Sequence, residues 1–363
     1  MLNFDHRGLL KTTLNRIAPV DEGWIAKARA RQLQLTKPPG SLGRLEEIAN
    51  RLAGIQRSMQ LSVARARILV FAADHGVCCE GVSLYPQSVT AQMVANFLRG
   101  GAAINALANT AGAELRIVDV GICQDLPEQD GLIQKRIANG TKNFCSSAAM
   151  TEDQAVAAME VGIEMADASK TSGCQLLGIG EMGIGNTTSA SAITAALTGL
   201  EADAVVGRGA GADDAGLNRK IAVIRRALAL HRLTAAAPLD ILAKVGGFEI
   251  AAMSGVCLGA AANRQAVLVD GFIATAAAAL AVQLQPATSG YLFASHRSTE
   301  PGQQPLLNMI GQRPILDLEM RLGEGTGAAL AISIVRAAAA AFNGMATFES
   351  AGVSNTESQN VKQ

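Results

Sequence analysis

The chain reads as an α/β protein: a Rossmann-like, mostly parallel sheet with helices on both faces, plus a small helical domain built from both chain ends. Three observations predict this. Short apolar runs without polar alternation recur along the chain, separated by segments of helical period, as strands buried on both faces require. Polar and glycine-rich residues come directly after those runs, where an open parallel sheet gathers its ligands. The 37 glycines supply turns throughout, and 363 residues give room for one large domain and a small companion.

Taken in order, residues 1–35 mix scattered apolar positions with many charges, which suits short surface helices. In Lys37-Pro38-Pro39-Gly40-Ser41 the prolines forbid helix, and Ser41 can cap a helix starting just after it. Leu42, Leu45, Ile48, Leu52 and Ile55 then recur at helical spacing. KPPGSLGRLE thus reads as a stiff linker and a helix start. The first strand-length run is Ile68–Ala73, ending at Asp74-His75-Gly76. Five more come later: Leu115–Val120, Leu176–Ile179, Ala204–Val206, Ala266–Val269 and Tyr291–Ala294. Between them lie helix-period segments at Val89–Leu107, Asp153–Ala168, Leu217–His231 and Phe248–Ala262. This assigns 61–309 to the large α/β domain and 1–60 with 310–363 to a discontinuous helical one. Thr326–Phe342 is apolar and alanine-rich but interrupted by Arg336, so it reads as a packed helix and not a membrane span. Ser354–Gln363 is polar and expected to be disordered.

Gly178–Ser191, GIGEMGIGNTTSAS, is the centre of this plan. Gly178, Gly180, Gly183 and Gly185 permit tight turning and close approach, and Asn186, Thr187 and Thr188 offer capping chemistry before the run Ala190–Leu197. A helix start of this kind suits a phosphate or carboxylate. The stretch also holds a G-x-G-x-x-G, but the dinucleotide pattern wants its helix to begin among the glycines and an acid after the next strand. Asp203 comes before Val205 and Val206 instead. No P-loop sequence occurs. A phosphate-bearing ligand, a nicotinamide dinucleotide and a purely structural turn all stay open on these residues alone.

Composition narrows the classes. Positive and negative side chains balance at 31 each, aromatics are 3%, and Trp24 is the single tryptophan, so no basic, aromatic-studded surface for nucleic acid is expected. The six cysteines form no C-x-x-C and no His/Cys cluster at ligand spacing, which leaves a metal site without support and suits a reduced, cytoplasmic protein. The N-terminus lacks the order of a signal peptide.

Four residues have both a chemical and a plain reading. His75 can act as a base or ligand contact, or be a hydrogen-bonded structural histidine. Lys220, in the helix after the Gly207–Gly211 loop that Asp213 and Asp214 can cap, can reach a phosphate on the Gly178 loop or be solvated. Arg297 divides the same way. Glu324, in Arg321-Leu322-Gly323-Glu324-Gly325-Thr326-Gly327, is either a lone carboxylate that lets a substrate come close or a solvated turn residue.

Several blocks then resemble one family in the right order. FAADHGV, YPQSVTAQM, GEMGIGNTT, GRGAGADD, GGFEIAAMSG, VLVDGFIATAAA, SHRSTEPG and LGEGTGAAL are similar to the nicotinate-nucleotide–dimethylbenzimidazole phosphoribosyltransferases, from about Lys37 to Leu330. The resemblance implies a homodimer that moves phosphoribose from nicotinate mononucleotide to dimethylbenzimidazole, with no cofactor and no metal. It places the general base on Glu324. The phosphoribosyl group is expected over Glu181, Gly183, Ile184, Gly185, Asn186, Thr187, Gly211 and Lys220. The acceptor base is expected near Asp74, His75, Ser83, Tyr85, Gln92 and Leu322, partly from strand-end geometry. The chemistry agrees: a pyridinium leaves as a neutral ring and needs no acid, while the acceptor imidazole must lose one proton, so one carboxylate suffices. An NAD-dependent oxidoreductase and a non-catalytic nucleotide-binding protein are the alternatives.

Overall fold

The computed structural model describes residues 6–127, 129–209 and 211–354. Six strands form one parallel sheet: β1 (Ala66–Ala73), β2 (Glu114–Gly121), β3 (Leu132–Gln134), β4 (Leu176–Met182), β5 (Ala266–Val269) and β6 (Leu292–Ala294). Their order is β3-β2-β1-β4-β5-β6. Ile68 to Ala73 of β1 and Leu176 to Glu181 of β4 are buried without a break. Since successive side chains point to opposite faces, both faces of the sheet are covered. The helix Phe248–Ala262 packs on β1, β2, β4 and β5, and the helix Thr326–Gly344 on β1, β4 and β5.

Five of the six predicted strands are present. Ala204–Val206 is instead part of a single helical turn, Ala202–Val205, because three apolar residues carry no period that separates a strand from a turn. The edge strand β3 was not foreseen, being three residues with one exposed. Val89–Leu107 divides into helices Val89–Leu98 and Ala103–Thr110, broken at Gly100-Gly101, where Gly100 adopts φ 80°. Phe248–Ala262 has the predicted bounds.

The KPPGSLGRLE segment is more than a linker. The Lys37 ammonium is buried and sits 2.7 Å from Glu46 Oε1, which also accepts the Leu42 N–H, so the turn is clipped to the helix Arg44–Gln56. Gly43, not Ser41, is that helix's N-cap, at φ 51°. The helix packs on Glu22–Gln34 and on Thr326–Gly344, and Leu35 bridges to Thr347, so the two terminal segments meet.

Thr326–Gly344 has the length and hydropathy to cross a membrane, and half of its most apolar window is buried here. Arg336 within it donates to the carbonyls of Val63, Ala64, Ala111 and Gly112, which explains a guanidinium in an alanine-rich helix. Of the tail expected to be disordered, residues 355–363 lie outside the described residues.

Candidate active site

β1 and β4 are neighbours, but β1 leads on to β2 on one side and β4 to β5 on the other, so a crevice opens at their carboxyl ends. A cavity of about 680 Å³ fills that place, within the range of small-molecule sites. The end of β4, the chain after β5, the chain after β6 and residues 321–324 line it, with Tyr85, Val89 and Met93 closing an apolar side.

β4 brings Glu181 to the cavity and hands over through Gly183-Ile184-Gly185 to the helix Asn186–Thr198. Gly185, in the left-handed region at φ 97°, is the N-cap, in place of the expected Asn186–Thr188 side chains. Asn186 begins the helix, and its amide donates to Glu181 Oε2. Thr90 Oγ1 accepts the Ile184 N–H at 3.1 Å and ties the loop to the helix Val89–Leu98.

The glycine motif has an unforeseen purpose. Gly178 and Gly180 lie inside β4, not in a turn. A Cβ on Gly180 would stand 2.3 Å from the Gly325 nitrogen, so this glycine lets the loop carrying Glu324 rest on the strand. A dinucleotide loop needs its first glycine in the strand-to-helix turn, and that condition is not met.

Glu324 is held in that loop at φ 62°, between Gly323 and Gly325 at φ 86° each. A left-handed backbone costs a non-glycine residue roughly 1–2 kcal/mol, so the surroundings must enforce it. The side chain is 6% exposed, lines the cavity, and its Oε2 has no hydrogen-bond partner. Burial raises its pKa, the Ile104 N–H opposes the rise, and the charge of Asp270 adds to it. The solvated-turn reading therefore fails on burial alone. Glu181, beside it, is pushed up to about 8, first by burial, with the Asn186 amide opposing and the charges of Asp270 and Glu249 adding. Two carboxyls whose pKa values burial raises thus share one floor. This suits a cationic electrophile above and a proton to be removed.

Lys220 is 2% exposed and donates to Thr187 Oγ1 at 2.9 Å and the Gly207 carbonyl at 3.3 Å. Burial lowers its pKa and Glu300 opposes the drop. It is therefore not a solvated lysine. It borders a second cavity of about 70 Å³, which shares Gly183, Ile184, Asn186 and Thr187 with the large one. Asp213 caps its helix by accepting the Gly216 N–H, as expected.

The remaining expected residues fall in three places. Tyr85 and Leu322 line the large cavity, and Ser83 and Gly185 the small one. Gln92 is exposed and, like Gly211 at φ 112°, borders neither. Asp74 and His75 are 2% and 0% exposed and also border neither. Asp74 accepts the Cys123 N–H, and His75 Nε2 lies 2.5 Å from Glu249 Oε1. Arg297 points outward toward Asp317. The residues beside it alternate inward: His296, Ser298 and Glu300 are buried and line the cavity. That alternation gave no sequence signal, because every side chain from Ser295 to Glu300 is polar. Arg321 and Gly209 on the rim, joined by a 3.0 Å bond from Nη1 to the carbonyl, had none. Among the described residues no cluster of three or more His, Cys, Asp or Glu is placed to hold a metal ion.

A parallel sheet with carboxyls buried beside a cavity at its switch point defines the class of α/β enzymes that bind a small molecule at the strand ends. Known proteins agree. The model of a phosphoribosyltransferase family matches residues 17–353. A nicotinate-nucleotide–dimethylbenzimidazole phosphoribosyltransferase of Geobacter sp. (strain M21) is 53% identical over 347 residues, 96% of this chain and 99% of that protein. One of the same name from Chloroflexus aggregans is 52% identical over 346 residues, covering 95% and 98%. The crystal structure of the enzyme of that name from Thermus thermophilus superposes with a TM-score of 0.88 at 47% identity, covering 92% of this chain and 99% of that one. A structure of CobT from the same organism gives 0.89 at 48%. The chain belongs to the nicotinate-nucleotide–dimethylbenzimidazole phosphoribosyltransferase family.

Proposed function

We propose that this chain transfers the phosphoribosyl group of nicotinate mononucleotide to dimethylbenzimidazole, releasing nicotinate and forming α-ribazole phosphate for cobalamin synthesis. The observation that carries the reading is Glu324: a carboxylate buried in the cavity, raised in pKa, with one oxygen unpartnered. The bond from the ribose carbon to the pyridinium nitrogen breaks, and its electron pair stays with neutral nicotinate. One imidazole nitrogen of the acceptor supplies the pair for the new bond. The proton on its other nitrogen passes to Glu324. Attack from the face opposite the leaving group turns a β linkage into an α one.

The acceptor lies flat against Tyr85, Val89, Met93 and Leu322, with the 83–92 segment as its side wall. The phosphate meets the start of the helix Asn186–Thr198, where the helix dipole favours an anion and Lys220 adds a charge beside Thr187. Glu181, kept neutral, can donate toward the ribose without setting a second full charge beside the base. The chain works in the cytoplasm as a homodimer, with 1–60 and 310–363 as a small helical domain and 61–309 as the large α/β domain. The exposed Leu84, Tyr85 and Leu322, which line the two cavities, support a second subunit there.

Purified protein with nicotinate mononucleotide should release nicotinate only when dimethylbenzimidazole is added, in equal amount to the new nucleotide. Release without acceptor, or turnover of NAD instead, would replace this reading with one of the alternatives.

A further inference from the structure

Glu324 sits in a backbone that a glutamate seldom adopts, and the molecule devotes a buried carboxylate to keeping it there. Asp270 comes from the end of β5, 55 residues before the loop it serves. Its Oδ2 accepts the Gly325 N–H at 3.0 Å, and its Oδ1 accepts those of Gly327 and Ala328 at 2.7 and 3.2 Å. Both oxygens are thus committed to the start of the helix Thr326–Gly344, whose N-cap, Gly325, has no side chain to serve it. Asp270 is 1% exposed and is not part of the cavity wall.

Two further side chains pack on the same loop, one of them bonded to it. Thr326 bonds the Gly323 carbonyl through its N–H at 3.0 Å and through Oγ1 at 2.7 Å. His296 lies with Nδ1 3.6 Å from Asp270 Oδ1, and a Cβ on Gly327 would stand 1.9 Å from that nitrogen. Gly327 is therefore a glycine so that the imidazole can lie over the helix start. The VLVDGF, SHRSTEPG and LGEGTGAAL blocks meet at this one point.

We propose that Asp270 is the positioning residue for Glu324: by capping the helix from a different strand, it holds the 323–325 loop in its left-handed shape and aims the carboxylate into the cavity. The proposal rests on the reading of Glu324 as the base. Asp270 touches no reacting atom. Its effect passes through Glu324, whose position it fixes and whose pKa its charge raises, so it should vanish when Glu324 can no longer accept a proton.

A double-mutant cycle tests this with the wild type, Asp270→Asn, Glu324→Gln and the double variant. Each is assayed for nicotinate release with dimethylbenzimidazole and checked by circular dichroism. Asn keeps the shape of Asp but replaces one acceptor oxygen with a donor facing N–H groups. Misplacing a catalytic group by about 1 Å can cost 10²-fold, so Asp270→Asn should lower kcat by roughly 10- to 100-fold with both KM values within about threefold. In the Glu324→Gln background the same change should cost less than about threefold. An equal cost in both backgrounds, or a change in KM alone, overturns the proposal while leaving Glu324 as the base. Wild-type turnover by Glu324→Gln removes the base reading and this proposal with it. If Asp270→Asn does not fold, Asp270→Ser enters the same cycle. Failure of both to fold makes Asp270 a residue of the fold alone and overturns the proposal.

Discussion

At the end of β1, His75 and Glu249 close on each other 2.5 Å apart, fully buried, and neither borders the cavity. At the end of β4, Glu181 and the loop-borne Glu324 are buried almost as deeply, yet both face it. The first pair joins an acid to a base, so each can neutralise the other. The second joins two acids, each raised in pKa first by burial, with the charge of Asp270 adding to the rise. Burial and strand-end position are shared and so cannot tell structure from chemistry. What differs is where the spare atoms face: His75 Nδ1 and Glu249 Oε2 are unpartnered inside the protein, whereas the unpartnered Oε2 of Glu324 belongs to a residue that lines the cavity, where a ligand can reach it. The two pairs still communicate, since the charge of Glu249 contributes to the raised pKa of Glu181.

The largest expected effect is on the open pair. Glu324→Gln should reduce kcat by about 10²–10⁴-fold, the usual contribution of a general base, with both KM values little changed. Because Glu324 must be ionised to act and burial raises its pKa, wild-type activity should fall as pH drops, with a midpoint above 4.5. An unchanged kcat at saturating substrates would return Glu324 to the structural class.

For the closed pair the cost should appear in stability instead. Glu249→Gln or His75→Ala leaves one buried partner uncompensated, a loss of roughly 3–5 kcal/mol for such pairs. Denaturant unfolding should register that loss, while kcat per folded molecule stays within about tenfold. A folded His75→Ala variant with normal stability and no activity would dissolve the distinction between the pairs.

Lys220 lies between the two cases, since it is buried and bonded but beside the helix start. Hydrogen bonds to charged groups are worth about 1.5–3 kcal/mol, so Lys220→Ala should raise KM for the mononucleotide by about 10- to 100-fold. KM for the acceptor should hardly move. An unchanged mononucleotide KM would leave the phosphate to the backbone loop alone.

The smallest effect concerns Glu181 without substrate. Its folded pKa, about 8, lies above the ordinary 4.5, so between those values the folded chain binds more protons than the unfolded one. Stability from this group is full below 4.5 and is lost as pH rises toward 8. Glu181→Gln removes that dependence, so it should gain stability relative to the wild type as pH rises from 5 to 8, by a few kcal/mol at most. A constant difference across that window would mean that Glu181 is ionised throughout and that burial leaves its pKa where it is in the unfolded chain.

Much of the fold was legible because it depends on neighbours in sequence. Asp214–His231 has helical period and the Asp213 cap, Phe248–Ala262 is a helix-length run too long for a strand, and Ile68–Ala73 of β1 and the whole of β5 are unbroken apolar runs. Glu324 stood out as a lone carboxylate among glycines for the same reason. What local pattern could not decide was short or shared between distant segments: the turn Ala202–Val205, the edge strand β3, and the meaning of Gly178 and Gly180. The two glycines looked like a turn motif, but Gly180 is there because the backbone of Gly325, 145 residues later, lies against it. Likewise nothing near His75 in the chain announces Glu249, 174 residues away, and nothing near Glu324 announces Asp270. Periodicity and capping are properties of a few consecutive residues, so the sequence determined the elements and the chemical candidates. Closure and pairing of charges depend on which segments the sheet brings together, and the tertiary structure alone decided which candidates face the cavity and which face each other.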